Sequence, residues 1–441
     1  MGKMESFVKL SSFQYASQIL TIISAIVYSF VAANFLGPEK YGLIYYLVGF
    51  IAGIPLLLGF ESFYDALKVY LARYKSLSFL KKIFSVAITL LLLLTAVCML
   101  FPDFVLFVVG KGSKDLIIIF SLVIFFVPLV SLFESVFMGF KQFGKILLLV
   151  VVGKISELAL LLLFLFVLNL DYMSLFYSTL FSAIIVLVFA LFFARKIKFA
   201  VVKVPSAEIK KFVFQSWFSN VAKGFVTQSE LWVFGLLLGL GEFGIFYLVK
   251  KIVIYLFEAP QIAISEVISP FLSEEKNIKN SVSYTSKVVK FQIVLGVLIA
   301  IISVIVVPFI LPLLFPKFLP GVAIFPIFVL GYVLYFGSPL TRLLKVTNNN
   351  NLLTLSSGFY TALIVIFGFV LIPLWGLFGA VVALSSARIL SGISLYVLCR
   401  YKGYHVAVIP NLADLKFFFS VSIILLKKVC VKAKRVLLRK N

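Results

Sequence analysis

The sequence predicts an all-α polytopic membrane protein with about twelve transmembrane helices, and three observations support this fold class. Of the 441 residues, 63% are hydrophobic and 13% are charged, whereas soluble domains have about 45 to 50% apolar and about 25% charged residues. Apolar runs of about 20 residues, the length that crosses a bilayer, recur between short polar breaks. So few charges cannot keep a chain of this length dissolved, which excludes a soluble globular protein.

Run length and polar breaks place the helices in chain order. We expect one set of six at about 11–34, 42–60, 80–101, 116–138, 145–169 and 173–194, and a second set at about 211–238, 244–268, 287–310, 322–343, 352–373 and 377–399. The first run lacks a cleavage site and is therefore a retained helix. The sets define an N-terminal lobe (1–200) and a C-terminal lobe (201–405), followed by a basic tail (406–441).

The basic residues orient these helices. Most of the 40 lysines and arginines lie before the first helix or after an even-numbered one, whereas Lys40, Lys111, Lys114 and Lys317 lie on the opposite side. Because Lys and Arg are in excess on the cytoplasmic side, both termini are expected in the cytoplasm, with the protein in the plasma or inner membrane of the cell. The net charge of +23 then reflects orientation and not nucleic-acid binding. The apolar run 417–426 has about half the length of a span, so we expect an interfacial helix on anionic lipid.

An internal repeat relates the two sets. Residues 30–45 and 232–247 align at an offset of 202, which pairs Gly37 with Gly239, Tyr41 with Phe243, Gly42 with Gly244 and Tyr45 with Tyr247. Each copy joins the first two helices of its own set, and an even number of spans separates the copies. This arrangement predicts two six-helix lobes related by a pseudo-two-fold axis along the membrane normal, with a central cleft, as in alternating-access transporters.

Charged residues inside the helices point to a hydrated interior. The basic ones are Lys154, Lys223, Lys250, Lys251 and Arg388, and the acidic ones are Glu134, Glu157, Glu230, Glu258 and Glu266. A charge at the bilayer centre costs about 2.5 to 3.5 kcal/mol, so we expect none of them to face lipid. Simple pairing remains an alternative for Lys154 with Glu157, and for Glu230 with Lys250 or Lys251.

The seventh helix and Arg388 supply the strongest ligand candidates. Ser216, Asn220, Lys223, Thr227 and Glu230 form one polar stripe, and Gln18 is the repeat equivalent of Asn220. Arg388 lies near mid-membrane with Ser385 and Ser391 one turn away, and its fork fits a phosphate. We expect an anionic substrate to bind Lys223, Arg388, Lys250, Lys251, Asn220 and Gln18, and a driving proton or sodium ion to bind Glu230 and Glu258.

Little in the chain suits catalysis. His405 is the single histidine and follows the last span, and Cys98, Cys399 and Cys430 form no even disulfide framework. We therefore expect a monomeric transporter that is not an enzyme and has no metal and no cofactor.

Three segments resemble a known family. ANFLGPEKYGLIYY is similar to the first-loop pattern of Wzx-like polysaccharide-export flippases, a branch of the multidrug/oligosaccharidyl-lipid/polysaccharide (MOP) exporter superfamily that includes the MATE transporters. TQSELWVFGLLLGLGEFGIFY resembles the seventh-helix pattern, with Glu230 where Asp is usual, and IPLWGLFGAVVALSSARIL resembles the eleventh and twelfth helices. The resemblance covers about 10–400, although many members have two further spans.

The resemblance implies two six-helix lobes around a V-shaped cleft lined by the first, second, seventh and eighth helices. It also implies movement of a polyprenyl-diphosphate-linked oligosaccharide from the cytoplasmic to the outer leaflet, for synthesis of surface polysaccharide or glycan. A MATE-like exporter of drugs or cations is the alternative, but it should have an acidic cavity. A membrane glycosyltransferase or polymerase is a more distant one, because the longest predicted outer loop is only residues 102–115.

Overall fold

The computed structural model describes residues 3–200, 202, 206–258, 261, 272, 277–347, 349–411 and 414. Its helices are α1 (Lys3–Leu57), α2 (Phe60–Tyr74), α3 (Leu77–Leu100), α4 (Pro102–Val109), α5 (Lys114–Gly139), α6 (Phe143–Leu162), α7 (Met173–Ala194), α8 (Ser206–Leu237), α9 (Leu240–Val253), α10 (Ile278–Leu314), α11 (Pro320–Val333), α12 (Gly337–Val346) and α13 (Asn350–Tyr401). π-helical turns, Leu163–Val167 and Ile254–Glu258, follow α6 and α9, and a 3-10 turn, Pro316–Phe318, precedes α11. Within these ranges there is no strand, only an isolated bridge between Ser76 and Ala200.

Two long helices are interrupted at glycines that separate predicted spans. Gly37 in α1 has φ 73° and ψ 176°, and Gly376 in α13 has φ 53° and ψ −130°. Residues with a Cβ rarely adopt such positive φ values, so both positions favour glycine. α1 thus contains the first and second predicted helices, and α13 contains the eleventh and twelfth.

The described residues include eight segments long and apolar enough to cross a membrane. They are Leu20–Leu57, Leu77–Leu100, Lys114–Gly139, Phe143–Val167, Met173–Ala194, Ile278–Leu314, Pro320–Val346 and Asn351–Tyr401. The first and last have 38 and 51 residues, and each is long enough for two crossings. The predicted fold class, an all-α multi-pass membrane protein, is confirmed.

Two segments predicted as loops are helical. α2 follows the second span and buries Ala66, Leu67, Tyr70 and Leu71, an amphipathic face on a helix too short and too charged to cross. α4 lies within the predicted outer loop 102–115, with Pro102 in its first turn and Gly110 at its end. The predicted tenth helix, 322–343, is in fact two helices, since the chain leaves helical geometry between α11 and α12.

The chain forms two compact units. The first comprises Met1–Leu248, Leu311–Gly321 and Ile364–Ala380, and the second comprises Val249–Ile310, Val322–Leu363 and Val381–Asn441. In the first unit, α2, α3, α5, α6 and α7 supply an apolar core that includes Phe60, Leu67, Phe79, Leu132 and Phe137. In the second, α12 packs Leu340, Leu343 and Leu344 against Val289 and Leu395. The division into lobes at residue 200 stays a prediction.

Within the first unit, the two copies of the sequence repeat contact each other. A Cβ on Gly42 would lie 1.9 Å from the Leu240 carbonyl oxygen, and a Cβ on Gly244 would lie 2.0 Å from the Pro38 carbonyl oxygen. Pro38 and Leu240 are themselves repeat equivalents, so the two contacts are related by a local two-fold. Tyr45 stacks on its equivalent Tyr247 with ring centroids 4.4 Å apart.

Glycines also bring the second half of α1 close to α8. Gly49 lies against Leu231, and Gly53 lies against Gln228 and Trp232. On α8, Gly224 packs against the side chain of Leu56, and Gly235 packs against the ring of Tyr46. Small residues at these positions let two membrane helices pack along most of their length. This packing explains why α8 belongs to the first compact unit although it starts the second half of the sequence.

Candidate functional site

Arg388 is the centre of a charged site in the second unit. It lies twelve residues beyond the Gly376 kink of α13, about the middle of a span. Its guanidinium carbon is 3.9 Å from the centroid of the Tyr332 ring of α11. Its Nη2 is 3.8 Å from Glu258 Oε2, with side-chain exposures of 12% and 36% for arginine and glutamate. Because a charge-assisted hydrogen bond measures about 2.7 to 2.9 Å, the Arg388–Glu258 interaction is a charge contact at longer range.

Close packing of α11 and α13 positions this arginine. A Cβ on Gly331 would lie 2.7 Å from atoms of Ser385, so the two backbones approach at this point. The Ser385 hydroxyl donates to the Ile327 carbonyl at 2.9 Å. One turn further along α13, Arg388 then lies over Tyr332, the residue after Gly331. The hydroxyl of Ser385, one turn from Arg388, thus donates its proton to the backbone of α11.

The remaining candidates of the second unit lie on α9 and the π-helical turn after it. Lys250 is buried, with 7% exposure, and Lys251 is partly buried. Glu258 ends the π-helical turn Ile254–Glu258. Such turns insert a residue into the helical register and are frequent at functional sites. They also shift the helical register. Lys251 and Glu258 are seven residues apart, which in an ideal α-helix would place both side chains on one face, but the π-helical turn between them changes this relation.

The stripe on the seventh helix is only partly described. Asn220 of α8 is buried, and its Nδ2 donates to Asp65 Oδ2 at 3.3 Å and to Ser62 Oγ at 3.5 Å. Both partners lie on α2, a helix within a predicted loop. These contacts use the Nδ2 group of Asn220, and its role as a substrate ligand stays a prediction. Glu230 is buried with 4% exposure. The side chains of Lys223 and Gln18, together with the tail run 417–426 and Glu266, lie outside the described residues.

A second polar cluster in the first unit surrounds Glu157 of α6. Lys154 Nζ lies 2.8 Å from Glu157 Oε2, which confirms the pairing considered from their spacing. Thr179 of α7 donates to Glu157 Oε1 at 3.3 Å. The Tyr28 hydroxyl of α1 lies 3.5 Å from Ser178 Oγ. Apart from the spacing of Lys154 and Glu157, no sequence signal linked these residues, because they come from three separate helices.

The charge and ligand types limit the chemistry of these sites. Across the ranges that the structure describes, no group of three or more His, Cys, Asp or Glu side chains could hold a metal ion. Among the candidate residues that the structure describes in the second unit, Arg388, Lys250 and Lys251 are basic and Glu258 is acidic. A cationic group in a poorly solvated setting favours an anion, and an arginine offers the forked donors that phosphate groups accept.

Comparison with protein families gives one match over more than half of the chain. The family model described as polysaccharide biosynthesis protein matches residues 8–275. No curated protein sequence matches the chain at a significant level.

Solved structures with a similar fold are transporters. "Lipid II flippase MurJ, inward closed conformation" has a TM-score of 0.73 at 17% identity and covers 94% of this chain and 92% of its own. An inward-facing multidrug resistance MATE family transporter of the MOP superfamily has a TM-score of 0.68 at 14% identity, covering 88% and 94%. A MOP superfamily transporter from Pyrococcus furiosus Vc1 has a TM-score of 0.65 at 14% identity, covering 90% and 95%. At these identities the comparison establishes the fold alone.

Proposed function

This chain belongs to the polysaccharide biosynthesis protein family and has the fold of the MOP superfamily transporters, and from that membership we propose that it is a flippase. Its substrate is a polyprenyl-diphosphate-linked oligosaccharide, moved from the cytoplasmic to the outer leaflet for surface polysaccharide or glycan synthesis. The observation that supports this substrate is the mid-span arginine, Arg388, held over Tyr332 and beside Glu258 in the second unit.

Binding of the substrate's diphosphate explains why a charged arginine lies in the middle of a membrane span. A membrane helix carries a charge at mid-span only at a cost of several kcal/mol, and such residues commonly mark a substrate or ion pathway. The Tyr332 ring and the Glu258 carboxylate stabilise the cation while the site has no substrate. A diphosphate offers more oxygens and more negative charge than the carboxylate of Glu258, which lies 3.8 Å from Arg388 Nη2. It is therefore a stronger partner for Arg388 than Glu258 is, and Lys250 and Lys251 are the further basic candidates of the second unit.

Exchange of partners on Arg388 couples the substrate to a driving ion. When the diphosphate binds Arg388, Glu258 loses its cationic neighbour. The driving ion, a proton or a sodium ion, then takes the place of the guanidinium beside this carboxylate. Occupancy of Glu258, and of Glu230 in the first unit, then biases the two lobes between their inward and outward states. The lobes alternate while the polyprenyl tail stays in lipid, and both termini face the cytoplasm.

A MATE-like exporter of cationic drugs is the competing function, since the fold is common to both. A cationic drug would have to approach Arg388, and like charges brought together cost several kcal/mol. The charge of the site therefore favours an anionic substrate. No role as a glycosyltransferase is needed to explain the charged residues.

Transport in vesicles tests the proposal. The purified protein is reconstituted with an undecaprenyl-diphosphate-linked oligosaccharide whose sugar carries a dye, and an impermeant reductant reports the label that reaches the outer face. We expect Arg388→Ala to slow transport about ten- to a hundredfold, because hydrogen bonds to charged groups contribute about 1.5 to 3 kcal/mol. Arg400→Ala is the matched control, since Arg400 lies on the same helix and 5.7 Å from the centroid of the Tyr396 ring, but is exposed at the end of the helix.

Equal transport by the wild type and Arg388→Ala, at equal levels of folded protein, would exclude this role for the arginine. Absence of transport by the wild type, together with export of a cationic dye from the same vesicles, would establish the competing function instead.

A further inference from the structure

The first unit contains an ion pair at the middle of a membrane span that the proposed diphosphate site does not use. Lys154 and Glu157 lie near the centre of the 25-residue apolar segment Phe143–Val167. Their side chains are 33% and 17% exposed. An ion pair at this depth requires either burial in protein or contact with water, because lipid solvates neither charge.

The position of Glu157 around α6 shows which side of the helix the ion pair occupies. The strongly exposed large apolar residues of α6 itself, Leu148, Ile155 and Leu162, have exposures of 44%, 63% and 40% and recur every seven residues. Glu157 is two residues beyond Ile155, which places it about 160° around the helix from that stripe. The Glu157 carboxylate is therefore directed away from the stripe and toward α7, where Thr179 contacts it.

Neighbouring hydroxyl groups make this interior face polar without adding charge. Thr179 donates to the second oxygen of Glu157. Ser156 lies 3.1 Å from Ser182 across the α6–α7 contact. The Tyr28 hydroxyl lies beside Ser178 and 3.4 Å from the Leu175 carbonyl oxygen. The cluster presents carboxylate acceptors, an ammonium donor and several hydroxyls from α1, α6 and α7.

Because Lys154 and Glu157 pair with each other, the cluster binds a single cation or a diphosphate only weakly. Lys154 Nζ at 2.8 Å already compensates the charge of Glu157, so a sodium ion gains little by binding this carboxylate. Glu157 likewise compensates Lys154, so the ammonium attracts a diphosphate weakly. A neutral polyhydroxy compound has neither problem, because its hydroxyls donate to the carboxylate and accept from the ammonium without separating the pair.

We propose that the Lys154–Glu157 pair and the surrounding hydroxyls of α1, α6 and α7 form a binding site for neutral sugar units of the lipid-linked substrate. This inference rests on the proposed flippase function and adds to it a division of recognition. Arg388 binds the diphosphate, whereas the Lys154–Glu157 site binds the sugar.

Two lipids separate sugar recognition from diphosphate recognition. Dissociation constants are measured on the purified full-length protein for undecaprenyl diphosphate and for the same lipid carrying diacetylchitobiose, a neutral disaccharide. The test variant is Lys154→Met with Glu157→Leu, because replacing an ion pair by apolar residues of similar size usually preserves the fold. Lys114→Met with Asp103→Leu, which removes an exposed outer ion pair, is the matched control. Thermal unfolding of each variant checks its integrity.

The wild type and the control should bind the sugar-bearing lipid about ten- to a hundredfold more tightly than undecaprenyl diphosphate. The test variant should lose that preference and keep its affinity for undecaprenyl diphosphate. Equal affinity of the wild type for both lipids would overturn the inference while leaving the flippase function intact. The inference would also be overturned if the test variant lost the same affinity for both lipids. It would be overturned, too, if the test variant kept its preference for the sugar-bearing lipid and lost only a dependence of binding on sodium or pH. If the wild type binds neither lipid, the proposed function fails, and the inference fails with it.

Discussion

At the scale of single residues, the chemistry of the site comes from contacts between helices distant in the sequence. The sequence predicted Arg388 as a ligand because its own helix offers no acid within one turn. It did not predict Tyr332 or the Glu258 contact, because both come from other helices whose relative rotation depends on packing. The 3.8 Å separation of Arg388 Nη2 and Glu258 Oε2 connects two candidates that were assigned separate roles.

Replacement of Glu258 tests the coupling. Glu258→Gln keeps the shape of the side chain and removes its charge, so the driving ion loses the carboxylate beside Arg388, and Glu230 alone does not sustain the coupling. We expect transport down a substrate gradient to persist and its acceleration by a proton or sodium gradient to disappear. Acceleration is measured in vesicles with and without an imposed gradient, and an unchanged acceleration in Glu258→Gln would assign the ion to another residue.

Gly42 provides a test of the contact between the repeats. In Gly42→Ala the new Cβ would lie 1.9 Å from the Leu240 carbonyl oxygen and 2.8 Å from the Gly244 nitrogen. Both of these are backbone atoms that cannot rotate away, so the helices must separate. We expect a loss of about 1 to 3 kcal/mol in stability, the usual cost of overpacking. Gly241→Ala is the control, since a Cβ there meets no atom within 4 Å. Thermal unfolding in detergent measures both, and equal melting temperatures would show that the repeats do not contact in solution.

At the scale of elements, the loop after α4 binds the end of α8. Lys111 Nζ donates to the carbonyl oxygens of Gly235 at 2.6 Å and Leu238 at 2.8 Å, and it lies 5.3 Å from the centroid of the Tyr46 ring. A cation is favourable at carbonyls that end a helix. Burial lowers the pKa of Lys111, which the bonds to these carbonyls offset while the lysine is charged. The sequence identified Lys111 only as an outer-loop exception to the charge rule.

Removal of this lysine should loosen the C-terminal end of α8. We expect Lys111→Met to reduce stability by about 1 to 2 kcal/mol, since two charge-assisted hydrogen bonds are lost from a partly solvated position. Lys114→Met, three residues away, removes only an exposed ion pair with Asp103 and should cost less than about 1 kcal/mol. Hydrogen exchange of the amides at 235–241 gives a local readout. Equal protection in the two variants would contradict the role of Lys111 as a cap.

The helices themselves were largely predictable, and their ends were not. Span lengths follow from bilayer thickness, so apolar runs alone placed the sixth helix at 173–194, where α7 is found. α2 and α4 were missed because both are too short for a span, and a helix of that length depends on tertiary packing for its stability. The kinks at Gly37 and Gly376 were visible only as breaks between spans, since a glycine in the sequence does not reveal its φ.

At the scale of the whole molecule, the repeat found in the sequence corresponds to a physical contact between its two copies. The offset of 202 predicted equivalent helices, and the reciprocal contacts of Gly42 and Gly244 show that the copies meet around a local two-fold. Sequence spacing could not predict that α8 packs with the first half of the chain. That packing depends on glycines of α1 and α8 that are far apart in the chain and become neighbours only when the helices associate.

The exchange of partners on Arg388 is tested most directly by a structure of the protein with bound undecaprenyl diphosphate. The account predicts diphosphate oxygens within hydrogen-bonding distance of the Arg388 guanidinium, about 2.7 to 2.9 Å, and a Glu258 carboxylate that has moved beyond its present 3.8 Å. A diphosphate bound elsewhere, with Arg388 and Glu258 at an unchanged separation, would contradict it.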